Sequence, residues 1–154
     1  MDLHPDFRDL LSALADSSAE YLVVGGWAVG FHGEPRFTKD LDLLIGPAEE
    51  NLEVVARALA AFGAPEATLC ALRELGPEEF LFFGAPPVRV DILRKVDGVE
   101  FATAFARREV ADWDGVKVSV IGYEDLVAAK KAAGRERDLR DVRALEAMRG
   151  KKKA

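Results

Sequence analysis

Tyr21–Ile45, YLVVGGWAVGFHGEPRFTKDLDLLI, sets the frame for everything around it. The apolar run Leu22–Val24 fits a buried strand, and the glycine pair Gly25-Gly26 follows it. A short segment with helical spacing leads to a second strand, which carries Asp40 and Asp42. Strand side chains alternate faces, so these two aspartates project from the same side. Carboxylates held side by side repel, and a divalent cation relieves the repulsion. Mg²⁺ suits such a place because it is a hard ion, held by one or two carboxylates with water and substrate phosphates. The glycines let the backbone approach a ligand closely. A helix starting at Gly26 or Trp27 would turn its free N–H groups toward phosphate. Phosphate cradle and carboxylate pair together predict chemistry on a nucleoside triphosphate.

Working outward, His4–Asp16 reads as a helix with Pro5 in its first turn and Phe7, Leu10, Leu11 and Leu14 as its apolar stripe. Gly26–Phe31 reads as a short helix, with Trp27, Ala28 and Phe31 against the sheet and Gly33 as a left-handed cap. His32 can meet a base or phosphate, or the carbonyls left open at the helix end, and the second role is favoured. Arg36 has a fork suited to phosphate or carboxylate, so it either orients Asp40 or touches a triphosphate. Thr38 is a hydrogen-bonding or capping group in the same loop.

Ala48–Phe62 has a clear amphipathic pattern, while Ala67–Leu75 reads either as a short helix or as a loop. Glu79–Gly84 and Val88–Leu93 read as a hairpin around Ala85-Pro86-Pro87. Asp91 sits inside the apolar run VRVDIL, where a carboxylate without a partner is costly. An ion pair with Arg89 or Arg94 is one solution. Glu100–Arg107 predicts a short helix with Phe101 and Phe105 inward. Val110–Trp113 and Val116–Val120 make a second hairpin, its turn at Asp114-Gly115. Trp113 is expected to pack on the sheet. Tyr123–Ala133 and Glu136–Met148 read as the last two helices, with Asp138 and Asp141 pairing with basic neighbours.

The chain has 154 residues, 49% hydrophobic and 31% charged, which fits one domain with a sizeable core. The expected division is a single domain over 1–150 and a disordered basic tail over 151–154. No apolar run approaches a membrane span, and the acidic start MDLHPDFRDLL lacks a secretion pattern, so a cytoplasmic location is expected. The lone Cys70 fits a reducing compartment and reads as a small buried hydrophobe. Net charge is −6, which argues against a general nucleic-acid coat. Yet residues 130–154 hold ten Lys or Arg against four Asp or Glu, a local +6 that leaves −12 on the rest. That asymmetry points either to a polyanion-facing end or to a solvated helix face.

The pattern GG-x-A…HG…R-x-T-x-D-L-D resembles the nucleotidyltransferase superfamily of the DNA polymerase β type. More narrowly, it is similar to the small bacterial branch holding the AbiEii-type toxins and the lincosamide and aminoglycoside nucleotidyltransferases. The later segments GAPPVRVDIL and EDLVAAKKAAGRERDLRDVRAL extend the likeness from Tyr21 to Leu145. The resemblance implies an α/β (α+β) nucleotidyltransferase fold, a mixed twisted sheet flanked by helices. It implies transfer of a nucleoside monophosphate from an NTP such as ATP to an acceptor hydroxyl, with release of pyrophosphate. Asp40, Asp42 and Asp91 would be the catalytic and metal-binding carboxylates for one or two Mg²⁺ ions, with Mn²⁺ as a substitute, and Asp91 the general base. Gly25, Gly26, Arg36, Thr38 and Lys130 would bind the nucleotide; for Lys130 the competing reading is a surface lysine. The wider superfamily often has Gly-Ser where this chain has Gly25-Gly26, whereas the narrow branch commonly has Gly-Gly. No separate acceptor domain follows Met148, so the acceptor pocket is expected to be shallow or completed by a second subunit in an oligomer.

Three functions fit these expectations: transfer to tRNA or other RNA in a toxin-like role, transfer to a small molecule such as an antibiotic, or a non-catalytic place in a toxin–antitoxin pair with a cognate antitoxin. The basic C-terminal segment favours the first. The acidic body suits a cationic acceptor in the second. Three intact carboxylates weigh against the third.

Overall fold

The computed structural model describes residues 3–33 and 40–153. Helix α1 (Pro5–Asp16) is capped by His4, whose Nδ1 accepts from the Asp6 amide at 3.1 Å. Its Phe7, Leu10, Leu11 and Leu14 are buried, as their spacing requires. Strand β1 (Tyr21–Val24) is buried throughout and runs straight into α2 (Gly25–His32). Strand β2 (Asp40–Ile45) then returns antiparallel to β1.

Helices α3 (Glu49–Phe62) and α4 (Glu66–Arg73) follow. The stretch that read ambiguously is therefore helical. Leu69 and Leu72 turn inward there, but Cys70 is exposed, contrary to the expectation of burial. One residue past Leu69, the helical turn carries Cys70 off the buried side, near Glu66.

The hairpin β3 (Phe80–Phe83) and β4 (Arg89–Leu93) forms as expected. After α5 (Phe101–Ala106), β5 (Glu109–Trp113) and β6 (Val116–Val120) form the second hairpin. Asp114 and Gly115 both take positive φ at its turn, which matches the twist of the flanking strands. Trp113 is buried against Trp27, with ring centroids 5.7 Å apart. Helices α6 (Tyr123–Ala133) and α7 (Glu136–Lys153) close the chain. Helix α7 continues past Met148, where its sequence pattern fades, to Lys153, and lysines suit a helix C-terminus.

The six strands form one mixed sheet in the order β3-β4-β2-β1-β6-β5. The pairs β1–β6 and β2–β4 are parallel and the others antiparallel. Helix α1 packs on α3 and β6, while α2 lies on β1 and β2 and meets α6 and α7. On β2, Leu41, Leu43 and Ile45 are buried on one face. The other face is buried at Leu44 and half-open at Asp42 and Asp40. That opening fixes the place of the site.

Gly33 ends α2 at φ −126°, so it is not the left-handed cap that was expected. A Cβ there would lie 3.1 Å from the Val29 carbonyl oxygen and 3.4 Å from Leu145 Cδ2. The tighter of the two contacts is with the carbonyl of α2 itself, so crowding by the last turn of that helix, not backbone sign, favours glycine here.

Candidate active site

Register assembles the carboxylates. Across the parallel β2–β4 pair, Asp42 stands opposite Asp91 and Asp40 opposite Arg89. Adjacent strands lie about 4.8 Å apart, so side chains on one face meet. The Asp42 carboxyl hydrogen-bonds to Asp91. Burial, then that hydrogen bond, then the charges of Asp91 and Asp40 push the Asp42 pKa up to about 8, with Lys130 opposing them. A raised value with these causes means that burial first, and the neighbouring acids after it, disfavour the charged Asp42 carboxylate.

On the β1 side, Val24 is the partner of Asp42, and the next residue is Gly25. Gly25 takes φ +67°, and a Cβ at this position would fall on the Asp42 carboxylate. Only glycine allows the α2 N-terminus to come this close to the acid. Val24 caps α2 without a side-chain hydrogen bond. The first residue of α2, Gly25, therefore lies against the Asp42 carboxylate.

Lys130 comes from α6 and is largely buried. Its Nζ lies 3.0 Å from Asp141 and 3.5 Å from Asp138, and its charge reaches Asp42. It is thus no surface lysine. Burial alone would raise the pKa of Asp138, but the Arg135 hydrogen bond and the charges of Lys130 and Arg135 outweigh it and hold the group below the ordinary carboxylate value. Asp138 also accepts from the Arg135 amide and guanidinium, so one acid fixes the α6–α7 junction and steadies the lysine. The sequence marked both aspartates as pairing residues. It could not show that they clamp Lys130, because that geometry depends on how α7 folds back on α6.

Asp91 Oδ1 accepts from Arg89 Nε at 3.1 Å and lies 3.1 Å from Arg89 Nη2. The Arg89 guanidinium stacks on Phe82, 4.0 Å from the ring centroid. The ion pair expected as one solution for Asp91 therefore exists. Arg94 is occupied elsewhere, donating to the carbonyls of Leu75 and Pro47. His32 Nε2 lies 2.7 Å from the Ile121 carbonyl oxygen, a structural contact, but to the residue after β6 rather than to the carbonyls of its own helix end that were expected. Arg36 and Thr38 lie outside the described residues.

Among the described residues, no three His, Cys, Asp or Glu side chains converge as a ready-made metal cage. What is present is a half-buried acid pair, Asp42 and Asp91, with Asp40 one step along the same face. Oxygen donors that hold a proton for want of a counter-charge fit a hard divalent cation. A cavity of about 370 Å³ opens at the far end of β2, lined by residues including Gly46, Pro47, Asn51 and Arg94. It is remote from this chemistry, which sits on an open sheet face.

The fold is that of the nucleotidyltransferases. The chain belongs to the family described as nucleotidyltransferase of unknown function (DUF6036), whose pattern it matches over residues 2–149. No curated protein matches it. Among solved structures it is similar to the lincosamide antibiotic adenylyltransferase LnuA in its lincomycin-bound form, at TM-score 0.56 and 12% identity, covering 95% of this chain and 98% of that one. It is also similar to the antibiotic-resistance factor ANT(2'')-Ia, at TM-score 0.54 and 18% identity, covering 91% and 80%. A nucleotidyltransferase candidate from Thermotoga maritima, TM1012, aligns at TM-score 0.54 and 15% identity, covering 89% and 88%. At these identities the likeness is one of fold. Among the described residues, no helix is long and apolar enough to cross a membrane.

Proposed function

We propose that this chain transfers a nucleoside monophosphate from an NTP to an acceptor hydroxyl and releases pyrophosphate. One observation carries the reading. Asp42 faces Asp91 across the β2–β4 register while Gly25, at positive φ, brings the N-terminal end of α2 against the same carboxylate. Phosphate and acid chemistry therefore meet on one open face.

In this reading Asp40, Asp42 and Asp91 hold Mg²⁺, with Mn²⁺ as a substitute. The ion would screen phosphate charge and favour in-line displacement at the α-phosphorus. Gly25 and Gly26 donate to the β and γ phosphates. Lys130 supplies positive charge toward the departing pyrophosphate, and Arg36 and Thr38, which precede β2 in the sequence, are further candidates for nucleotide binding. The acceptor oxygen bonds to the α-phosphorus, and its proton passes to the Asp91 carboxylate. The bond from the α-phosphorus to the bridging oxygen breaks, and its electron pair leaves with pyrophosphate. Arg89 holds Asp91 in place on the strand.

Two acceptor classes have a surface in their favour. Arg137, Arg140 and Arg143 lie exposed along α7, and none makes an ion pair among the described residues, which suits RNA in a toxin-like role. The −12 carried by the rest of the chain suits a neutral or cationic small molecule, and the structurally similar LnuA is seen with the antibiotic lincomycin bound. The test is transfer from α-labelled NTP, each of the four in turn with Mg²⁺, to total RNA and to a small-molecule pool, with Asp42→Ala as control. Label that moves to either acceptor and is lost in the mutant supports the reading. Failure to bind any NTP refutes it.

A further inference from the structure

Strand β3 breaks the pattern that an edge strand should follow. Its inner residues Leu81 and Phe83 pack against the core, so Phe80 and Phe82 should be polar. Both are instead phenylalanines, 57% and 55% exposed. Phe82 is the register partner of Asp91, which is in turn the partner of Asp42. Three adjacent strands therefore place Phe82, Asp91 and Asp42 in a row on one face. One side of the Phe82 ring is already fixed by the Arg89 guanidinium.

The row has a direction. Gly25, at the N-terminal end of α2, approaches Asp42 from the β1 side, and the charge of Lys130 also reaches Asp42. In an in-line displacement the attacking and leaving oxygens lie on opposite sides of the phosphorus. With phosphates on the β1 side, the attacking hydroxyl must arrive from the β4–β3 side, over Asp91 and Phe82. Exposed aromatic surface beside a reacting group marks a binding place for an apolar face.

We propose that Phe82, with Phe80, is the acceptor platform. It takes a small hydroxylated acceptor, neutral or cationic, that lays an apolar ring on Phe82 and directs its hydroxyl toward Asp91. The small acceptor is favoured over a nucleic-acid end because residues 1–129 carry −12, and Glu78 and Glu79 lie exposed immediately before Phe80, Glu78 paired with Lys95 at 2.8 Å and Glu79 accepting from the Gly76 amide at 2.6 Å. This inference rests on the nucleotidyl-transfer reading and deepens it.

Product-like esters test it without knowledge of the natural acceptor. The benzyl and methyl esters of a nucleoside 5′-monophosphate are compared, using the nucleoside whose triphosphate binds best with Mg²⁺. The benzyl ester should bind wild type about ten-fold more tightly. Phe82→Ala should bring that ratio near one while leaving NTP and methyl-ester affinities unchanged, and Phe82→Tyr should restore it. Equal binding of the two esters by wild type overturns the platform, as does an equal loss of both esters in Phe82→Ala. A dinucleoside monophosphate that binds more tightly than the benzyl ester assigns the platform to a nucleic-acid end and overturns the small acceptor. Conversion of a dimer to a monomer by Phe82→Ala makes the surface a subunit contact and overturns it too. If neither ester nor any NTP binds, the nucleotidyl-transfer reading itself falls, and the platform with it.

Discussion

Asp42 on β2 and Asp91 on β4 are register partners whose carboxyl groups share a hydrogen bond, and the Asp42 pKa is pushed up to about 8. Without a cation, the proton that Asp42 keeps, the Arg89 ion pair on Asp91 and the charge of Lys130 together offset the repulsion. The pair's cost to the fold and its value to chemistry therefore have the same origin.

Asp42→Asn should separate those two effects. The amide keeps the shape and cannot charge, so the metal-free variant should melt higher than wild type at pH 9. Transfer should fall by at least ~10²-fold, since a metal ligand is lost. Thermal melts and label transfer on the same preparation check both.

The linkage has a definite sign. A folded pKa raised above the ordinary 3.8 contributes stability that is fully present below that value. The contribution declines as pH rises and is gone once pH has passed about 8. Metal-free protein should thus lose stability from this group across that window, and Mg²⁺-NTP should restore it. At pH 7, binding of Mg²⁺-NTP should release about one proton. Calorimetry in two buffers of different ionisation enthalpy reads that number, and Asp42→Asn should abolish the release.

Gly25→Ala meets two penalties. The left-handed backbone alone costs about 1–2 kcal/mol, and the added methyl collides with Asp42. The collision part should vanish in an Asp42→Gly background while the backbone part remains. A double-mutant cycle by denaturant unfolding measures the difference.

Lys130→Met should destabilise the protein by about 3 kcal/mol, because Asp138 and Asp141 would lose their buried cation. Asp138 also gives an acid limb. Its pKa is lowered, so its contribution is present above 3.8 and lost as pH falls through the lowered value. Asp138→Asn should flatten that limb in acid unfolding.

The elements that position this site were legible in the sequence because each depends on local pattern. Asp40 and Asp42 follow a period of two, Gly25-Gly26 follows a buried strand, and Asp91 interrupts an apolar run. What could not be read depends on distant segments meeting. The Lys130–Asp141 contact needs the α6–α7 turn. Phe80 and Phe82 looked like ordinary strand residues until the register placed Phe82 beside Asp91. Cys70 was misread because α4 had no clear periodicity to show which side faces solvent.

The most direct test of the central claim is a structure of the protein with Mn²⁺ and a non-hydrolysable α,β-methylene NTP, with the metal located by anomalous scattering. The account predicts a metal peak between Asp42 and Asp91, with the β and γ phosphates on the amides of Gly25 and Gly26. Nucleotide bound elsewhere, such as the cavity beside Arg94, with no metal at the carboxylates would contradict it.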